Sequence, residues 1–159
     1  MRTLTLESII AGTAGALAMM PAGLVFRALD MRVGHYGPKF AELYMSAPGP
    51  VALFFQHLVL GWISAIPLCL FSLSKRSLAY TLVLGCAYGA LYYVLINSFA
   101  LPVYFGDSLP WSLGISVVFP SLAIHMIFGA VVAASIKIWR SRHGNTTEMP
   151  RLQGSESPK

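Results

Sequence analysis

Charge is absent from four long stretches of this chain: Ser8 to Phe26, Leu43 to Ser74, Ser77 to Gly106 and Ser108 to Ile136, of 19, 32, 30 and 29 residues. A helix rises ~1.5 Å per residue, so about 20 apolar residues cross ~30 Å of hydrocarbon, and each stretch reaches or approaches that length. Across the 159 residues only 11% are charged, against roughly 25% in an ordinary soluble domain. These numbers exclude a soluble enzyme, a nucleic-acid-binding module and a secreted disulfide scaffold. The expected fold is an all-α integral membrane four-helix bundle, with helices at about 6–29, 51–73, 78–103 and 113–139. Residues 1–140 form this transmembrane domain. The tail 141–159, rich in Ser, Thr, Asn, Gly, Pro and charge, reads as a disordered cytoplasmic segment.

The +5 net charge sits at the ends of the apolar stretches, where it reads as a topology signal and as contact with anionic lipid at the cytoplasmic face, with no nucleic-acid partner. Eight Lys and Arg fall on the side holding both termini: Arg2, Lys75, Arg76, Lys137, Arg140, Arg142, Arg151 and Lys159. Arg27, Arg32 and Lys39 fall opposite, so both termini are expected in the cytoplasm, with the connections 30–50 and 104–112 outside. Arg2 followed by an apolar run and Ala16-Leu17-Ala18 imitates a signal peptide. Glu7 and the apolar continuation to Phe26 favour a retained first helix.

The second and fourth helices carry matching strings, His57-Leu58-Val59-Leu60-Gly61 and His125-Met126-Ile127-Phe128-Gly129. The first and third match through Gly15-Ala16-Leu17 and Gly89-Ala90-Leu91, with Ala11 and Gly85 four residues earlier. The chain therefore reads as two parallel repeated helical hairpins related by an axis along the membrane normal. Over about Leu82 to Ala134, the run Gly85-x-x-x-Gly89, Leu101-Pro102, Phe105-Gly106, Pro110-Trp111, Pro120 and His125-x-x-x-Gly129 resembles the YagU-like family of small bacterial inner-membrane proteins. The long 30–50 connection departs from that pattern. The resemblance implies a multi-pass inner-membrane fold and location, and no particular activity.

Small residues are the most abundant signal. Ala11, Gly15, Ala18 and Ala22 form a stripe on the first helix, Gly85 and Gly89 a GxxxG on the third, and Gly61 and Gly129 follow the histidines by one turn. Such residues let helix backbones approach closely in lipid, within one chain or in a homo-oligomer. His57 and His125 are the candidate polar or proton-relay residues, with Gln56 and Asn97 as hydrogen-bonding neighbours, because an unpaired imidazole is costly in hydrocarbon. The bland reading gives each histidine one hydrogen bond to a neighbouring helix. Glu7 is expected to cap the first helix, and Asp30 and Asp107 to be solvated.

Cys69 and Cys86 lie in apolar stretches without metal-ligand spacing, so neither a disulfide, a metal site nor a cofactor is expected. No nucleophile elbow, phosphate loop or paired membrane carboxylate is present, which argues against an enzyme. Two functions remain. One is a structural or supportive role in membrane or stress physiology. The other is a small transporter or proton-responsive channel using the histidine pair, for an unidentified ion or small molecule. A wet polar cavity lined by His57, His125, Gln56 and Asn97 distinguishes the second from the first.

Overall fold

The computed structural model describes residues 2–33, 36–71, 73 and 76–143. Helix α1 spans Arg2–Ala28, the short α2 Tyr36–Ala41 and α3 Pro50–Cys69. Helix α4, Leu78–Tyr92, runs directly into a π-helical stretch, Tyr93–Ala100, and then α5, Leu101–Phe105. A 3-10 turn at Pro110–Leu113 leads to α6, Ile115–His143. Four helical spans, Leu4–Ala28, Pro50–Cys69, Leu78–Phe105 and Ile115–His143, are long and apolar enough to cross a membrane, and large apolar side chains such as Val51, Val83 and Ile115 cover their outer faces. The chain is an all-α, multi-pass membrane bundle. Of the expected tail, Ser141 to His143 prolong α6 and residues 144–159 lie outside the described residues.

Local chemistry sets the ends of the spans. Pro50 occupies the first position of α3, where its missing N–H leaves no helical bond unmade. The Ser77 side chain accepts from the Tyr80 N–H and caps α4. Helix α3 stops at Cys69, four residues before the expected Leu73. The guanidinium of Arg140 takes the Cys69 and Phe71 carbonyls there, so the chain leaves the helix with its last acceptors occupied. The third span ends at Gly106, whose φ of 67° suits a residue without Cβ, and the Asp107 N–H returns to the Pro102 carbonyl at 2.9 Å.

Three seams join the spans: α1 with α3, α1 with α6, and α4 with α6. Two are backbone-to-backbone crossings at glycine. A Cβ on Gly89 would fall inside the His125 carbonyl and 2.9 Å from the Met126 Cα, and one on Gly85 would stand 2.8 Å from the Ala130 Cα. A Cβ on Gly12 would stand 2.5 Å from the Gly61 carbonyl oxygen, and the Ala16 Cβ lies 3.1 Å from where Gly61 would carry one. Helix α1 therefore meets α3 through Gly12 and Ala16, one residue on from the expected Ala11 and Gly15. Those two turn towards α6: Gly15 faces Val132 and Phe128, and Ala11 joins the core with Ala65 and Ala133. The expected stripe stops short, because Ala18 and Ala22 are only half-buried.

The repeat is broken at one seam. A two-fold axis relating the hairpins would make α3 meet α4 as α6 meets α1, yet α3 and α4 share no comparable backbone contact. Side chains bridge them instead: Tyr88 donates to the Ser64 carbonyl at 2.5 Å, and Ser64 Oγ donates to Tyr92 Oη at 3.1 Å. The buried core of Leu68, Cys69, Leu73, Phe128, Val132 and Ile136 fills the end of the bundle near the termini, hereafter the terminal face. Opposite it, at the connector face, the space beside the α3/α4 seam is open.

An ion pair stands at each face. Arg140 holds Glu7 through two bonds, at 2.9 and 2.6 Å, with the Glu7 side chain 9% exposed. Glu7 is therefore not the expected helix cap: α1 begins at Arg2, which places Glu7 in its second turn, facing α6. Asp107, expected to be solvated, instead receives Lys39 Nζ on both oxygens at 2.6 Å. At 36% and 27% side-chain exposure this second pair is worth at most ~1 kcal/mol, but it fastens α2 to the end of the third span.

Candidate functional site

A cavity of about 850 Å³ enters the bundle from the connector face. Its wall on α1 runs from Arg27 inward to Ala16, a depth of about 16 Å at 1.5 Å per residue, which brings its floor near the middle of the span. There it meets Phe128, which belongs to the packed core, so the cavity is a blind vestibule and not a pore.

His57, His125, Gln56 and Asn97 all line it. The structure brings two of them into direct contact. His125 Nδ1 lies 2.6 Å from the Ser121 carbonyl, one turn earlier on α6, and its Nε2 lies 3.0 Å from Asn97 Nδ2. One assignment satisfies both: Nδ1–H donates to the carbonyl, and the Asn97 amide donates to the lone pair of Nε2. The ring is then neutral, and a proton reaching Nε2 requires the Asn97 amide to turn so that its oxygen accepts. Tyr92 stacks on the His125 ring at 5.7 Å and 20°, and Tyr93 lies against it at 5.7 Å and 46°.

His57 stands on α3 with Nε2 3.1 Å from the Ala16 carbonyl, which makes Nε2–H the donor and leaves Nδ1 as the basic nitrogen. Both histidines thus spend one N–H on a helix carbonyl, as the bland reading has it, while both also face the vestibule. Gln56 does not join them. Its amide donates to the Gly37 carbonyl at 2.9 Å and its oxygen accepts from Tyr44, so it ties the 30–50 connection to α3. Trp62 is anchored outside this group, donating to Thr13 Oγ1 at 2.8 Å.

The π-helical stretch positions the α4 side of the site. Pro102 supplies no N–H to the preceding turn, and the Leu101 N–H reaches back five residues to Ile96. The widened turns let Tyr92, Tyr93, Ile96 and Asn97 all reach the vestibule, and such widenings gather at functional sites. They also leave two buried hydroxyls, Tyr93 Oη and Ser98 Oγ, without a hydrogen-bond partner among the described residues. From the sequence, Tyr92 or Tyr93 is a candidate hydrogen-bond partner for the histidines; the structure puts both against the His125 ring, with the Tyr92 hydroxyl accepting from Ser64.

Three charged residues read from sequence as topology signals or solvated groups also line the mouth: Arg27, Arg32 and Asp107. Near them the Tyr36 hydroxyl is pushed up from its ordinary pKa by burial and by the Asp107 carboxylate, with Arg32 opposing. Among the described residues no three His, Cys, Asp or Glu side chains gather as metal ligands would, and Cys69 and Cys86 are both free. Comparison with protein-family models, with curated proteins and with solved structures finds no match in any of the three.

Proposed function

We propose that this membrane protein is a small transporter whose solute site is the vestibule and whose proton-handling groups are His57 and His125. The observation that carries this reading is the polar floor. His57, His125, Asn97 and Ser64 line a cavity of about 850 Å³ deep inside the bundle, where a purely structural core would be filled. The nitrogens that handle protons are His57 Nδ1 and, as the Asn97 amide turns, His125 Nε2. The packed terminal end closes the site on that side. Transport then requires the α1/α6 seam to loosen near the Glu7–Arg140 pair while the connector face closes.

The excess of Lys and Arg at the terminal face, and the resemblance of residues 82–134 to the YagU-like family, support a bacterial inner membrane with both termini cytoplasmic and the vestibule open to the periplasm. The protein is read as non-enzymatic because its sequence carries no nucleophile elbow, phosphate loop or paired membrane carboxylate. The second reading, a structural or supportive role in the membrane, is favoured by the histidine bonds to the Ala16 and Ser121 carbonyls.

Proton and solute flux into proteoliposomes separates the two. The wild type is expected to acidify the lumen in a solute-dependent way, and the double variant His57→Ala, His125→Ala to lose that flux while eluting as the same folded species. Wild-type flux no greater than in empty liposomes, or unchanged flux in the double variant, would leave the structural role standing.

A further inference from the structure

The mouth of the vestibule is unbalanced in a way its own residues do not correct. Arg27 and Arg32 both line it, and neither has an ion-pair partner among the described residues. Asp107, the one carboxylate among the described lining residues, is already taken by Lys39 on both oxygens and by the Tyr36 hydroxyl. Two exposed arginines thus stand at the mouth without a counter-ion among the described residues.

Between the mouth and the floor the wall is apolar: Met19, Met20, Leu24, Phe54, Ile96 and Leu101.

We infer that the vestibule binds an anionic amphiphile, a molecule with an oxyanion head received by Arg27 and Arg32 at the mouth and an apolar body lying against the methionine and phenylalanine wall. A cation meets two uncompensated arginines there. A neutral apolar molecule leaves the arginines unanswered, and a small hydrophilic anion leaves the apolar wall wet. A guanidinium matches a carboxylate or phosphate in two parallel bonds, which sets the head chemistry. This inference rests on the vestibule being a solute site, and it names the solute class. The same head chemistry is offered by a free acid arriving from the connector face and by an anionic lipid entering beside the α3/α4 seam.

The test uses the full chain in phosphatidylcholine nanodiscs with radiolabelled decanoate as the probe. Saturable binding is expected, displaced by unlabelled decanoate, and displaced far less by decanol, decyltrimethylammonium or acetate. Arg27→Gln with Arg32→Gln is expected to weaken binding by about tenfold or more, the equivalent of one charged hydrogen bond, without lowering the unfolding temperature, because both residues are exposed and have no ion-pair partner among the described residues. Doping the discs with phosphatidylglycerol identifies the source: loss of decanoate binding makes the ligand a lipid, and unchanged binding makes it a free acid. The inference is overturned if decanoate does not bind saturably, if decanol competes equally, if acetate competes equally, or if the double variant binds as the wild type does. Decanoate binding without any proton flux would defeat the transport reading and leave this one intact.

Discussion

Replacing Gly89 by leucine leaves no folded four-helix protein to purify. Where α4 crosses α6, the backbones touch: a Cβ on Gly89 would overlap the His125 carbonyl, with its carbon at 2.6 Å and the Met126 Cα at 2.9 Å. The obstacle is backbone on both sides, so no rotamer change relieves it and the helices must part. Parting them also unseats Gly85 against Gly129 and moves the carbonyl that carries the His125 ring. Overpacking a closed core typically costs ~1 to 3 kcal/mol for added methylenes that neighbours can accommodate, and here they cannot. Gly89→Ala carries the same Cβ into the same backbone, so it too forces the helices apart and is expected to give little folded protein, with the leucine branch adding to the damage. Val83→Leu is the control. Val83 is 69% exposed on the outer face of the same helix, and its substitution should change stability by no more than about 0.5 kcal/mol. Size-exclusion profiles and thermal unfolding of the three variants in one detergent give the ranking. Equal behaviour of Gly89→Leu and Val83→Leu would remove the crossing from the account.

Arg140→Leu is the second large effect, and it should exceed that of Glu7→Gln. Removing the guanidinium strands the Glu7 carboxylate, 9% exposed, between α1 and α6, and releases the Cys69 and Phe71 carbonyls at the end of α3. Breaking one side of such a buried pair costs about 3–5 kcal/mol because the remaining charge is uncompensated. Glu7→Gln leaves Arg140 with the two carbonyls, the Phe71 bond at 2.7 Å, and with a neutral amide oxygen in place of the carboxylate. Thermal unfolding should therefore order the proteins wild type, Glu7→Gln, Arg140→Leu. The reverse order would mean that the pair contributes little and that the terminal face is held by the apolar core alone.

The four spans were legible because absence of charge over a fixed length is a direct signature of a hydrocarbon crossing. Which side of each span faces inward was much less so. A soluble helix marks its inner face by contrast with polar residues, whereas these helices are apolar on lipid and protein sides alike. Gly12 and Ala16 illustrate this: the sequence offers Ala11 and Gly15 at the same i, i+4 spacing, and only the packing shows that one pair meets α3 and the other α6. Gly85, Gly89 and Gly129 were unambiguous, since no other residue type tolerates a backbone crossing. His57 and His125 stood out because imidazole is rare in lipid, and His125 and Asn97 do meet. Gln56 stood out equally and serves the connection instead. The π-helical stretch depends on how the third span shifts its hydrogen bonding ahead of Pro102, which no local pattern announces, and the second role of Arg27 and Arg32 depends on the cavity that opens beside them.

The central claim is that water reaches the histidine floor from the connector face and from nowhere else. Ser121 lines the vestibule one turn before His125, so Ser121→Cys, with Cys69 and Cys86 replaced by alanine, reports on that floor. Ser108→Cys, exposed on the connector, serves as the accessible control, and Ala133→Cys, 0% exposed in the core, as the inaccessible one. A membrane-impermeant thiol reagent should modify Ser121→Cys and Ser108→Cys from the connector face, leave Ala133→Cys untouched, and reach Ser121→Cys from the terminal face not at all. A Ser121→Cys protein that resists modification while Ser108→Cys reacts, or that reacts from the terminal face, would contradict the account.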